Sequence, residues 1–441
     1  MGSFSLMRVL KCFGLTIVFL SFLMTNPLKA ASWSTPVELS SDEMNAVGAQ
    51  VALDAKGGAI ALWSEFDGSK YVIKASSCEK IGNWSIPYII SSSDGDAFFP
   101  KIAIDSKGNA IAIWSVKNGS NSVIQTASKA FKKQWSSAVN ISDINSHAEG
   151  ARIAVNEDGK AYVVWQHYNG FQNVIQFVQK SPKRGDWTSP LTLSVIPSNA
   201  LGDLEPKIVM IGKGDLLVTW INQDTFSVQA VTKLKDRSWS EPIELSASLE
   251  LVKNVQLATD QNGNAIVSWT RKVEDHTVIQ ANIKSSSGTW SGAVDLSDSD
   301  QNSDFSSLTM TPNGSALIAW QQSDGIYSVI KGAKKTLNGH WSLPFDLTLT
   351  GQDASQPYVT ADSFNTYAVV WKRSDGFNFV IESSRSLKGN KWSETSTLSL
   401  TGEDASTPQL DIDKLGNSVA VWQGSNGLHS IIQTSFKSKA E

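Results

Sequence analysis

The sequence predicts an all-β chain built from eight copies of a four-stranded antiparallel sheet, and three observations carry that expectation. All sixteen tryptophans fall into two series of eight with a common spacing. Glycine, or once asparagine, recurs at one fixed offset from the second series. Beyond residue 30 no stretch shows the 3.6-residue hydrophobic periodicity of a helix.

The first tryptophan series is Trp33, Trp84, Trp135, Trp187, Trp239, Trp290, Trp341 and Trp392, in steps of 51 or 52 residues. The second is Trp63, Trp114, Trp165, Trp220, Trp269, Trp320, Trp371 and Trp422, each 30 residues after its partner except Trp220, at 33. A fixed period of this length is the mark of a repeat architecture. Eight such units account for almost the whole chain after residue 30.

Each unit resolves into strands and turns. In the second one, Lys101–Asp105, Ala110–Trp114, Ser122–Ala127 and Trp135–Ser142 read as strands, with turns at Ser106–Asn109 and Lys117–Ser120. Six places before the second tryptophan stand Gly57, Gly108, Gly159, Gly214, Gly263, Gly314 and Gly416, with Asn365 in the remaining unit. These are the residues that tolerate positive φ at a tight turn. Asp67-Gly68, Asn118-Gly119, Asn169-Gly170, Asp324-Gly325, Asp375-Gly376 and Asn426-Gly427 follow that tryptophan and are strong hairpin signals. The strand Ala110–Trp114 has a small face (Ala110, Ala112) and a bulky one (Ile111, Ile113), both apolar. Sheets stacked face to face bury both sides in this way.

Repeated four-stranded units buried against their neighbours describe an eight-bladed β-propeller. The chain starts with a lone strand, Trp33–Ser40, and stops after the third strand of its last unit. The expectation is therefore a ring closed by the N-terminal strand, which serves as the outermost strand of the blade at Pro408–Phe436.

Residues 1–30 carry Arg8 and Lys11, the apolar run Phe13–Met24 and a small residue at Ala30. That order is expected of a secretory signal peptide, the apolar run being too short to span a bilayer. Residues 31–441 then form a single propeller domain, secreted or held in the periplasm or cell envelope. Loss of Arg8, Lys11 and Lys29 with the leader takes the net charge from −4 to −7. A mildly acidic chain with 18% charged residues is a poor partner for nucleic acid. Only Cys78 remains beyond the leader, so the expected stability comes from packing rather than from an internal disulfide.

The pattern Asp-x-x-Gly-Asn-Ala-x-Ala-x-Trp, followed by Asp-Gly, Val-Ile-Gln and Trp-Ser-x-Pro-x-x-Leu-Ser, resembles the β-propeller repeats of secreted bacterial proteins and covers residues 33–437. It is more distantly similar to sialidase-type and tryptophan-docking eight-bladed propellers. It departs from both: Asp105 lies nine residues before Trp114 and Gly108 six before it, so the active residues of those groups have no counterparts here.

The invariant positions read as structure. Tryptophans repeated at the same two strand positions are expected to pack between blades rather than to stack sugars. Asp54, Asp105, Asp260, Asp362 and Asp413 precede the glycine turns without the further carboxylates of a calcium loop, and so read as turn caps. Function is expected where the units differ. The position opening the innermost strand is Gln50, Lys101, Arg152, Lys207, Gln256, Ser307, Tyr358 or Gln409. The loops leading to it carry Asp96, Asp353 and Asp404, and aromatics flank the hairpins at Phe66, Tyr168, Phe171 and Phe377. Acids beside aromatic rings suit a hydroxyl-rich ligand. Asp143, His147, Glu149 and His167 cluster in the third unit, in no known metal spacing.

No catalytic triad, phosphate loop or zinc motif is present, and no cofactor is expected. Of the six arginines after the leader (Arg152, Arg184, Arg237, Arg271, Arg373 and Arg385), only Arg152 is placed at the channel, too few for a sialidase carboxylate clamp. The expected function is a lectin-like binding or interaction protein, monomeric, that offers a propeller face to a glycan or a peptide or protein ligand. The expected contacts are Asp96, Lys101, Arg152, Lys207, Asp353, Tyr358 and Asp404. The alternative is a glycosidase-like enzyme using two of the face carboxylates.

Overall fold

Runs of Ala, Val and Ile bounded by Asp-x-x-Gly and Asp-Gly turns fold into up-and-down antiparallel strands in the computed structural model. The structure describes residues 32–181, 185–194, 202–212, 214–235, 237–337, 339–387 and 391–438. Residues 1–31, among them the expected signal peptide, Arg184 and most of the loop after Ser194 lie outside the described residues. Among those described every named element is a strand, and no helix is long and apolar enough to cross a membrane.

The first unit contains Ala46–Leu53, Ala59–Phe66, Tyr71–Cys78 and the short strand Tyr88–Ile89, paired in that order. The same order recurs along the chain in four-stranded antiparallel sheets. The second and third units are joined into one eight-stranded sheet by a single parallel pair, His147 with Ser122. The fourth strand is shorter than its sequence suggests. In the second unit only Val139–Asn140 is laddered, and Trp135 makes one isolated bridge to Lys129.

The lone N-terminal strand joins the end of the chain. Val37 pairs with Thr434 and Glu38 with Gln433, while Ser34 and Leu39 donate backbone hydrogen bonds to Phe436 and Ile432 at 2.8 Å. Trp33 packs against the buried cluster shared by the seventh and last units, which includes Val370 and Trp422.

The core lies at the seams between consecutive units. All eight tryptophans of the second series are completely buried, each in a cluster shared with the preceding unit. Trp63 of the first unit meets Val419, Val421 and Ile432 of the last in the same manner. Most indole N–H groups are satisfied eleven residues on: Trp114, Trp165, Trp269 and Trp422 donate to Gln125, Gln176, Gln280 and Gln433, and Trp371 to Glu382. In two units that position is lysine, Lys74 or Lys331. There the acceptor is supplied two residues on, by Glu65 for Trp63 and Gln322 for Trp320. Trp220 is the exception in this series: Val231 stands eleven residues on, and its buried Nε1 has no partner.

The turn reading holds in detail. The seven predicted glycines and Asn365 all have positive φ. In the five Asp turns, Oδ1 accepts from the amides two and four residues on, as in Asp105 with Lys107 and Asn109 at 2.9 and 2.8 Å. These carboxylates are turn caps. Cys78 is a buried free thiol, pushed up by burial.

Candidate functional site

Strand alternation sets which residues share a level. Gln50, Lys101, Arg152, Lys207, Gln256, Ser307, Tyr358 and Gln409 all occupy the same register against the second strand of their units. The first strands of neighbouring units are hydrogen-bonded side by side. Lys101 Nζ donates to Gln50 Oε1 at 3.1 Å and Val359 N to Ser307 Oγ at 3.1 Å. Glu205 accepts from Asn254 N and Val255 N at 3.0 and 2.9 Å. Leu53 N donates to Asp411 Oδ2 at 2.8 Å and thereby ties the first unit to the last.

Three of the expected contacts, Lys101, Arg152 and Lys207, are brought together at this level. Desolvation, then the charges of Arg152 and Lys207, lowers the Lys101 ammonium to about 7. Lys207 also falls to about 7, through desolvation and Arg152, against the weaker pull of Glu205 and Asp203. Arg152 is lowered by desolvation as well, and its Nη1 is held by the carbonyls of Gly150 and Ala151. Tyr358 stands at the same level in the seventh unit. Desolvation and the Asp411 carboxylate raise its phenol to about 12.

Asp96, Asp353 and Asp404 are placed differently. Their Oδ1 atoms each accept, at 2.8 Å, the amide that opens the third strand of the preceding unit: Tyr71, Ser328 and Phe379. Asn45 and Asn302 do the same for Ser430 and Thr277. The position therefore calls for an acceptor rather than a charge, and these three acids latch loops to hairpins. The same bonds put the entering loops and the Asp-Gly hairpins at one end of the sheets, called here the upper face.

Sequence reading missed a ring of strained backbone on that face. Two residues before each of these eight same-level residues φ is positive, at Gly48, Phe99, Gly150, Glu205, Asn254, Phe305, Gln356 and Thr407, and in every unit but the fourth the strand pairing shifts register there. Only two are glycine. Gln356 Oε1 accepts from Thr407 N at 2.8 Å, one unit holding the bulge of the next. Phe99 is 71% exposed and ends an aromatic run: its ring lies 6.1 Å from Phe98, which lies 4.8 Å from Tyr71, itself 5.6 Å from Phe66. Phe171 and Phe377 project from hairpin tips, while the Tyr168 hydroxyl donates to Gly170 O.

Asp411 was also missed. The equivalent residues are Ala52, Ala103, Ala154, Val209, Ala258, Thr309 and Thr360, so a unit-by-unit comparison of the sequence holds the signal. Desolvation raises its carboxyl to about 6, although the amides of Leu53 and Ile412 oppose the shift. It borders a cavity of about 300 Å³ on the lower face whose other aspartates, Asp54, Asp105 and Asp413, are the turn caps. An upper-face cavity of about 410 Å³ between the seventh and eighth units is lined by Lys372, Phe379, Asp404, Leu428 and His429.

In the third unit His147 Nε2 meets Glu149 at 3.3 Å, and Ser146 Oγ lies 3.3 Å from His167 Nδ1. Burial lowers His167. Among the described residues no three His, Cys, Asp or Glu side chains converge as a metal site.

Helix-free, four-stranded antiparallel sheets packed in series define a β-propeller-like fold. Solved structures with that fold include an ulvan lyase of polysaccharide lyase family PL25 (TM-score 0.52, 11% identity, 90% of this chain and 95% of that chain). Another is polysaccharide lyase Uly1 (TM-score 0.50, 8% identity, 80% and 91%). At these identities the likeness is one of fold. No protein-family model and no curated protein matches the sequence.

Proposed function

We propose that the protein is an exported binding protein: an eight-bladed β-propeller, closed by its N-terminal strand, that receives a glycan or peptide ligand on its upper face. Residues 1–30 serve as the export signal, and the mature chain works in the periplasm, at the envelope or outside the cell. The closure reading is supported by the pairing of Val37–Glu38 with the last strand and by the Trp63 seam between the first and last units.

The observation that carries the binding reading is the convergence of Lys101, Arg152 and Lys207 at one level, on units whose counterparts are neutral. Exposed Phe99 stands two residues before the first of them. Loops held by a rigid ring lose little entropy on binding. Glycan-active proteins among those of similar fold accord with a glycan ligand. The enzymatic alternative has less to work with, because Asp96, Asp353 and Asp404 already hold backbone amides.

The test is a screen of residues 31–441 against immobilised glycans and peptides, repeated with Lys101→Ala, Arg152→Ala and Tyr358→Ala combined. Binding lost in the triple variant supports the reading. Binding unchanged in it places the site elsewhere, and turnover of a glycan abolished by Asp404→Asn replaces it with the enzyme.

A further inference from the structure

The position shared by Lys101, Arg152 and Lys207 does not need a cation to fold. Gln50, Gln256 and Gln409 occupy it in three other units, and Ser307 and Tyr358 in two more. Three consecutive units nonetheless place like charges side by side at one level, each side chain half-buried. Each raises the cost of charging the others, as the repulsion of Arg152 on both lysines records. Charges drawn part-way out of water are ordinarily paired.

These are not. Among the described residues none of the three is in an ion pair. Lys101 Nζ is bonded to a neutral amide, Gln50. Arg152 uses only Nη1, on two carbonyls. The acids whose charge reaches the cluster are Asp203 and Glu205, and their bonds are made elsewhere. Asp203 Oδ1 accepts from Glu205 N, and both Glu205 oxygens accept from the fifth unit. The cluster keeps donor capacity and positive charge that the protein leaves unmatched, which is the composition of an anion site.

We infer that Lys101, Arg152 and Lys207 receive one oxyanion group, a sulfate or carboxylate, of an acidic saccharide whose sugar ring lies against Phe99. The inference rests on the upper-face binding reading and specifies its ligand. The exposed Phe99 ring at the head of the Phe98–Tyr71 run favours a saccharide over an acidic peptide, since a flat aromatic face matches the C–H face of a pyranose. An arriving anion restores full protonation to the two lysines held at about 7, so binding takes up protons at neutral pH and weakens as pH rises.

Isothermal titration of the mature chain tests this with inorganic sulfate alone, with an acidic peptide, and with matched oligosaccharides that are neutral, sulfated or uronate-bearing. Each is run near pH 6 and pH 8.5 in buffers of different ionisation enthalpy. The expected result is an acidic saccharide bound about tenfold or more tighter than its neutral match, with proton uptake and weaker binding at the higher pH. Arg152→Gln should erase the preference, and because three units carry glutamine at this level it should fold, as circular dichroism would verify. Neutral and acidic saccharides bound alike and lost with Phe99→Ala would overturn the anion site while leaving upper-face binding intact. An acidic peptide bound in preference to every saccharide would overturn the inference, and no binding of any probe would overturn the underlying reading as well.

Discussion

Lys101 and Gln50 stand one repeat apart in the chain and meet side by side in space, Nζ donating to Oε1 at 3.1 Å. The bond links the first and second units at the level where Arg152 and Lys207 follow. A neutral amide can hold an ammonium in place without balancing its charge. Desolvation and then the neighbouring cations lower both lysines, and among the described residues no ion pair offsets the shift.

That depression has a signed consequence. Lys101 and Lys207 titrate near 7 in the folded protein and near 10.5 unfolded, so between those values the unfolded chain holds more protons. The unfolding free energy rises with pH across that window, and the penalty is full below it. The double variant Lys101→Gln, Lys207→Gln should be more stable than the parent near pH 6, and the gap should close towards pH 10. Urea titrations across the range check this, and a gap independent of pH would refute the assignment.

The bulge ring offers a test of stored strain. Thr407, β-branched at φ 49°, should be relieved by Thr407→Gly, with a gain of about 1 kcal/mol. Gly48 has φ 70° at the equivalent bulge, and an added Cβ would meet nothing nearer than Pro100 at 4.0 Å. Gly48→Ala should therefore cost about 1 kcal/mol through the backbone alone. Paired denaturation curves should move in opposite directions.

The seam tryptophans depend on their acceptors. Gln125 accepts from Trp114 Nε1 at 3.1 Å and donates to Ser92 and Asn140 at 2.7 and 2.9 Å. Gln125→Leu leaves the indole N–H buried without a partner and should cost about 1–3 kcal/mol. Ser137→Ala, at an exposed position of the same unit, should cost no more than about 0.5 kcal/mol and serves as the control.

Removing residues 32–40 strips the last unit of its outer strand and of Trp33 and Leu39. The melting temperature should fall sharply, and the exposed edge of Ser430–Lys437 should promote association. Calorimetry and light scattering check both. An unchanged melting temperature would refute the proposed closure.

The repeat was legible in the sequence because its period is set by local chemistry. Turn glycines need only their own φ, and two tryptophans per unit mark the same two strand positions whatever lies between them. For the same reason Lys101, Arg152, Lys207 and Tyr358 could be placed at one level: a strand alternates with period two, and a unit repeats with period 51. What each polar side chain bonds to was decided only by tertiary structure. Asp96, Asp353 and Asp404 read as free acids in the chain, yet the fold sets beside each an amide 25 residues earlier that needs an acceptor. Asp411 gains its role by facing Leu53, 358 positions away. Thr407 sits at positive φ against its own preference, and Gln356 of the neighbouring unit accepts its amide there. Local sequence sets torsions and periods, whereas hydrogen-bond partners and desolvation depend on which distant strands come to lie alongside.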